Sequence, residues 1–516
     1  MNTGTRRRRA LVRALEIFPA TFALSVIVIL MAGPFWFAGE LLVAVLLFEA
    51  YWLWKSWTIG YHAMKGVGLM RDALKTDWRA RYEAARQSDP ETLDWDAILN
   101  VVIIPNFGES AAKLRVTLET LATSPIAASA IIPVLAMEAA EKGSEAKGHA
   151  LAAEFAGRFH DVLVTLHPAD LPGELRGKSS NEAWAARRAV EELNGRRALS
   201  LDLLTVTSCD ADTQFVPAYF EALTYHFATD PARYRRFWQA PIFFYNNIWQ
   251  VPAPLRVPNA LSGLIHLGKL SRKRRVLFPQ STYSLSMRLA HDAGFWDVDV
   301  IPEDWHMFIK CFFLTSGEVE IEPIMVPLGN DGALSPTRRK TLVNQYLQVR
   351  RWGWGASDIP YAVMQALDHP EMPLRRRFLR CWYLIDNHIS WSTQWFAVTV
   401  GTLLTIADSV IGWNLLKPDW FYIANLVDAS LVPGWLTLST LLMTPCLAPY
   451  LILIVLDTRL RPTPPPGAPR LSRYLSFAWW LAASPVTLVW SALPALDAQV
   501  RLMLGKRMEY RVTEKV

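Results

Sequence analysis

Hydrophobic positions along the chain fall into three regimes. Near the start, residues 18–37 carry no charge and are long enough to cross a bilayer, and a second apolar run, residues 41–54, follows almost at once. From about residue 65 to 380 the pattern shortens to apolar, β-branched runs at 98–105, 131–137, 162–166 and 203–208, separated by helix-like segments such as 111–123 and 181–193. Beyond residue 380, long apolar stretches resume at about 395–411, 436–456 and 474–493. Strands alternating with helices predict an α/β domain built on a doubly wound, mostly parallel sheet, embedded between transmembrane α-helices. The divisions expected are a basic tail with two transmembrane helices (1–60), the sheet domain (61–375), interfacial and C-terminal transmembrane helices (376–500) and a tail (501–516).

Charge gives the orientation. Arg6, Arg7, Arg8 and Arg9 precede the first apolar run and hold the N-terminus in the cytoplasm; the second run returns the chain, with Trp52, Trp54, Trp57 and Tyr61 at its inner interface. The first run reads as an uncleaved anchor, since a cleavable signal has a shorter apolar core and a small-residue cleavage site. The sheet domain is therefore expected on the cytoplasmic side of a plasma (bacterial inner) membrane. At the other end the count is open. Three spans would leave the tail outside, yet Arg501, Lys506, Arg507, Arg511 and Lys515 favour the cytoplasm. Either 412–430 hides another span or 474–493 is a hairpin bent near Pro485 and Pro494. The proline-rich 461–469 reads as a linker.

The 516 residues have room for about three average domains. A 52% hydrophobic content and 22 tryptophans favour one soluble unit plus membrane spans instead. The net charge of +6 does not point to nucleic acid, because the basic residues cluster beside apolar stretches, at 6–9, 375–380 and 459–473, as flanks facing anionic lipid do. Cys209, Cys311, Cys381 and Cys446 have no metal-ligand spacing and read as free thiols.

Chemistry concentrates in three short motifs of the middle region. Asp210-Ala211-Asp212 follows a predicted strand, and paired carboxylates there suit a hard divalent cation, although Asp-x-Asp alone is more often a solvated turn. Glu303-Asp304 offers a base for a hydroxyl, or a cap for the helix predicted over 307–313. Gln348-Val349-Arg350-Arg351-Trp352 supplies a planar cation for phosphate oxygens and an aromatic face, or an interfacial helix with snorkelling arginines. Phe107, Gly108, Glu109, Glu138 and Asp210 to Asp212 all fall at the carboxyl ends of predicted strands, where open sheets bind ligands.

In that order and spacing the motifs resemble those of membrane-integrated family 2 glycosyltransferases of the cellulose, chitin and hyaluronan synthase type, and the resemblance covers nearly the whole chain. It implies a GT-A catalytic domain that uses a nucleoside-diphosphate sugar with Mg²⁺ or Mn²⁺ and inverts the anomeric centre. Asp210 and Asp212 match the Asp-x-Asp that holds the metal and donor diphosphate, and Asp304 matches the general base, supported by Glu303. Gln348, Arg351 and Trp352 match Gln-x-x-Arg-Trp, which sets Arg351 against diphosphate and Gln348 and Trp352 under the acceptor sugar. Pro105 and Glu109 stand in the nucleotide loop, with Phe107 and Gly108 departing from the family pattern, and Glu138 stands where an Asp is usual. Uridine is the family's usual base. Lys178, in Gly177-Lys178-Ser179, resembles a phosphate-side cation; a helix start capped by Ser179 or Ser180 reads as well. Tyr510, Thr513 and Lys515 resemble the gating segment. Residues 281–286 stand at the acceptor position without the family's glycine-rich sequence. The implied partners are the nucleotide sugar, a glycan or lipid-linked acceptor, membrane lipids and an accessory export subunit, with elongation of a β-linked glycan the first expectation and single transfer to a lipid, or a non-catalytic membrane subunit, the alternatives.

Overall fold

A computed structural model describes residues 3–197, 200–273, 276–411, 434–466 and 470–508. Ten strands form two sheets: β1 (Leu99–Pro105), β2 (Ile131–Glu138), β3 (Leu163–His167), β4 (Leu204–Ser208), β5 (Gln214–Phe215), β6 (Arg236–Gln239), β7 (Ile242–Phe243), β8 (Tyr283–Ser286), β9 (Glu320–Pro323) and β10 (Leu328–Gly329). The larger sheet runs in the order β3-β2-β1-β4-β8-β6-β9, and a small one runs β5-β10-β7. The four strands expected from the apolar runs are present with ends shifted by a residue or so. All pair in parallel. β2 is buried throughout and β1 nearly so, as strands covered on both faces must be.

Two details of this topology make a site. β1 lies between β2 and β4, so the connections leave it in opposite directions and open a crevice beyond its carboxyl end. β8 is antiparallel to β4, with Tyr283 opposite Ser208, so the entrance to β8 meets the exit from β4.

The helices used below are α1 (Thr3–Ala32), α2 (Pro34–Lys75), α3 (Lys178–Arg197), α4 (Ala253–Leu270), α5 (Glu303–Leu314), α6 (Arg338–Gly353), α7 (Leu374–Ile411), α8 (Leu447–Leu460) and α9 (Leu493–Met503). Among the described residues three helical stretches are long and apolar enough to cross a membrane: Arg6–Ala32, Gly39–Lys75 and Leu436–Leu460. The first break differs from the sequence expectation. α1 ends at Ala32 and α2 starts at Pro34, whose missing amide hydrogen interrupts the helical ladder although Gly33 keeps helical dihedrals, and the backbone departs from helical geometry at Phe37, so the 18–37 run is divided. Of the expected C-terminal spans, 395–411 lies on α7, whereas 474–493 is interrupted at Ala482 and by a π-helical turn at Leu488–Ala492. These breaks flank Pro485 and Pro494, which themselves lie within the helical segments Ala483–Thr487 and Leu493–Met503. Residues 412–430, Trp413, Tyr510, Thr513 and Lys515 lie outside the described residues.

The sheet domain is bolted to the membrane helices. Gly66 of α2 touches Leu267 of α4 so closely that a Cβ would sit 2.6 Å from its side chain, the close approach that small residues permit between helices. Asp457 on α8, almost fully buried, accepts hydrogen bonds from Tyr245 Oη at 2.9 Å, Arg461 Nη2 at 2.5 Å and Trp480 Nε1 at 3.2 Å.

Candidate active site

The crevice beyond β1 and β4 gathers residues from four distant parts of the sequence around one ammonium group. Lys178 is the first residue of α3 and is buried; its Nζ lies 2.9 Å from Asp210 Oδ1, 2.9 Å from Glu303 Oε1 and 3.7 Å from Glu182 Oε1, and donates to Ser281 O at 2.9 Å. Burial penalises that charge, but Asp210, Glu303 and Glu182 outweigh it, so its pKa is raised above the usual lysine range. Ser179 and Ser180 do not cap the helix as acceptors: their hydroxyls donate to the carbonyls of Asp297 and Leu175.

Asp304 sits in the first turn of α5, where the helix terminus favours a carboxylate. Its Oδ1 accepts the Trp305 amide at 2.8 Å and its Oδ2 the Ser281 amide at 3.2 Å. Burial, then the neighbouring Glu303 charge, push its pKa up to about 7. An aspartate titrating there is poised to take a proton near neutrality. The same forces act on Glu182, which is raised to about 8, burial being the main cause.

Ser281 joins the two carboxylates. It adopts φ 55°, the left-handed region that non-glycine residues rarely occupy. In this turn its amide reaches Asp304 while its hydroxyl donates to Asp210 Oδ2. Asn330 Nδ2 donates to the Ser281 hydroxyl at 3.2 Å and to Asp210 Oδ2 at 3.4 Å, and the Asp331 amide donates to Asp212 Oδ2 at 2.7 Å. Lys113 Nζ in turn reaches Asp331 at 2.5 Å. Asp210 and Asp212 both line the crevice with hard carboxylate oxygens, a donor type that fits Mg²⁺ or Mn²⁺ with the remaining ligands coming from a diphosphate. Among the described residues no group of three or more His, Cys, Asp or Glu side chains could hold an ion without such help.

The other expected residues line the same cavity, which has a volume of about 1750 Å³ and runs from the crevice to the space between the membrane helices. Glu109 spends its carboxylate on its own loop, accepting from Asn106 Nδ2 and the Phe107 amide, both at 2.8 Å. Glu138, at the end of β2, pairs with His167 Nδ1 at 3.0 Å, and Glu174 holds the other ring nitrogen at 2.8 Å. Burial lowers the His167 pKa, but the two glutamates prevail and raise it. On α6, Gln348, Arg351 and Trp352 face the cavity, with Trp352 5.9 Å from Phe244. Arg350 points elsewhere, to Asp497 of α9 at 3.1 Å, and a Cβ on Gly353 would lie 2.9 Å from the Ala495 backbone, so α9 fixes the helix.

Sequence reading missed Ser281 as a ligand, and Asn330, Asp331, Glu182, Lys113 and His167 altogether. The polar run Gly329-Asn330-Asp331-Gly332 was the one available signal for two of them.

No family model and no curated protein matches the sequence. Among solved structures, the chain is similar to the mannosyltransferase PcManGT from Pyrobaculum calidifontis in complex with GDP-Man and Mn²⁺, at 15% identity over 77% of this chain and 99% of that one, with a TM-score of 0.39. It is also similar to GalNAc-T7 with UDP, GalNAc and Mn²⁺, at 12% identity over 57% of this chain and 58% of that one, with a TM-score of 0.32. Both scores are too low to carry a shared function.

Proposed function

We propose that the chain is an inverting glycosyltransferase of GT-A type, in family 2, that moves a sugar from a nucleoside-diphosphate donor to an acceptor at the cytoplasmic face of the membrane. The observation that carries this reading is the placement of Asp304, held by the amides of Trp305 and Ser281 beside the Lys178–Asp210–Glu303 cluster, in a cavity that continues between the membrane helices.

In the proposed reaction an acceptor hydroxyl gives its proton to Asp304 as its oxygen bonds to the anomeric carbon. The bond from that carbon to the diphosphate breaks in the same displacement, the electron pair leaving with the nucleotide. Lys178, Lys113 and Arg351 supply positive charge for the diphosphate. Asp210 and Asp212 would hold Mg²⁺ or Mn²⁺, which when bound neutralises charge building on the leaving group. Glu109 and Glu138 stand on the nucleotide side, for which uridine is the expected base. Glu303, through Lys178, ties the base to the donor side, and Gln348 and Trp352 support the acceptor sugar.

The length and tryptophan lining of the cavity support elongation of a β-linked glycan and its passage between the membrane helices: Trp391, Trp395 and Trp480 line it, the first two held by Ser491 and the Ser484 carbonyl. Tyr510, Thr513 and Lys515 would then gate the nucleotide, and an export subunit would receive the product. A second reading, single transfer to a lipid, is favoured by Trp54 and Trp382, which line the cavity and are also exposed on the apolar surface of α2 and α7. The test is purified protein in lipid with Mg²⁺ or Mn²⁺ and a panel of UDP- and GDP-sugars, following nucleotide release and product size. High-mass product is expected; one-sugar lipid moves the assignment to the second reading, and no release from any donor overturns both.

A further inference from the structure

The membrane end of the cavity carries charge that the proposed chemistry does not use. Lys55 of α2, Lys269 at the end of α4 and Arg272 just beyond it all line the wall, together with one carboxylate, Asp386 of α7. Lys55 is within electrostatic reach of the other three. Neutral side chains hold the lysines: Lys55 Nζ lies 3.3 Å from Gln394 Oε1 and Lys269 Nζ 3.5 Å from Asn387 Oδ1. The segment is anchored, because Ser271 donates to the His62 carbonyl at 2.8 Å and Gly268 packs on the α2 backbone at Ile59 and Ala63.

Cations at a membrane interface usually snorkel outward to bulk headgroups. These line an internal wall. Three stacked rings link them to the base: Trp305, next to Asp304, lies 4.5 Å from Phe278, which lies 5.7 Å from Tyr383, and Lys269 Nζ stands 5.9 Å from the Tyr383 ring. On the outer side, Trp54 and Trp382 line the same cavity while 61% and 55% exposed, so the wall opens sideways onto the apolar surface of α2 and α7.

We infer that Lys55, Lys269 and Arg272 hold the phosphate of a lipid-linked acceptor whose hydrocarbon tail leaves between α2 and α7. The inference rests on the transferase reading for its chemistry: a phosphate oxygen is already anionic and needs no base, so the presence of Asp304 assigns the attacking group to a sugar hydroxyl carried by that lipid. That hydroxyl's proton goes to Asp304, its oxygen bonds to the anomeric carbon, and the nucleoside diphosphate leaves with the electron pair.

The test separates binding from turnover. Delipidated full-length protein is offered a long-chain prenyl phosphate, the matching prenyl alcohol or inorganic phosphate, and retention is read by native mass spectrometry; donor turnover is measured separately as nucleotide release. The prenyl phosphate should be retained roughly ten- to hundredfold better than the alcohol, the value of charge-assisted contacts to a phosphate. Lys269→Gln with Arg272→Gln should abolish that preference, Lys55→Gln should reduce it, and Lys269→Arg should keep it. Equal retention of phosphate and alcohol, an unchanged preference in the double variant, or inorganic phosphate binding as tightly as the lipid would overturn the proposal. Preferential retention with no nucleotide release from any donor would leave the lipid site standing and remove the transferase reading; release without phosphate preference would do the reverse.

Discussion

The two ends of the cavity use lysine in opposite ways. At the crevice, Lys178 is outnumbered by carboxylates that lie within 4 Å of its ammonium group. At the membrane end Lys55 and Lys269 share the wall with Arg272 and Asp386, and each lysine is held by a neutral amide, Gln394 and Asn387. The same side chain is a charge neutraliser in one place and an unspent charge in the other. An acid-rich pocket has room for a cation or a proton, and a base-rich pocket has room for an anion, so the sign of the excess states what each end lacks.

The largest effect that could break this contrast is at the acid-rich end. Asp304→Asn should cut transfer by about 10²- to 10⁴-fold while leaving donor affinity nearly unchanged, as loss of a general base does. Steady-state rates beside nucleotide titration check this, and wild-type turnover in the variant would sink the base assignment. Next, Lys178→Gln should strand Asp210 and Glu303 without their counter-charge and destabilise the domain by about 3 kcal/mol, seen as a lower melting temperature together with weaker donor binding. An unshifted melt would mean the cluster is less strongly coupled than its geometry requires.

A pH series sharpens the same contrast. Asp304 must be unprotonated to act, so activity should fall about tenfold per pH unit below about pH 7. The stability effect has the opposite sense. Between the ordinary aspartate value of 3.8 and about 7 the folded protein keeps a proton that the unfolded chain has released, so this group's contribution to stability declines as pH rises through that window. Asp304→Asn should remove that slope, and a variant melting curve with the wild-type pH dependence would refute it. The smallest effect is expected at Trp352→Ala, which should impair acceptor use several-fold more than donor hydrolysis; equal losses would count against stacking beneath the acceptor.

Periodicity and short motifs carried much of this. Four parallel strands could be read because buried strands must be apolar along their length, and Asp210, Asp212 and Asp304 drew notice through the order and spacing of their motifs, since a carboxylate after a strand or at a helix start is by itself ordinary. What could not be read came from chain segments joined only in three dimensions. Ser281 reaches Asp210 because an antiparallel strand brings residue 281 beside residue 210, and Asn330 arrives from the end of the two-residue strand β10, too short to leave a periodic signal. Glu182 is one turn from Lys178 on an ordinary-looking helix, and only its burial marks it. In the membrane region the first span is present over Arg6–Ala32, and only its end at residue 37 differs, because hydropathy counts apolar side chains and is blind to the missing amide of Pro34.

The carboxylate of Asp457 meets Tyr245, Arg461 and Trp480 at once, where a flexible tether would have needed none of them. A fixed joint of that kind turns sheet and spans into a single lever arm: the distance from the crevice to α8 is a built-in dimension, set by three hydrogen bonds to one carboxylate.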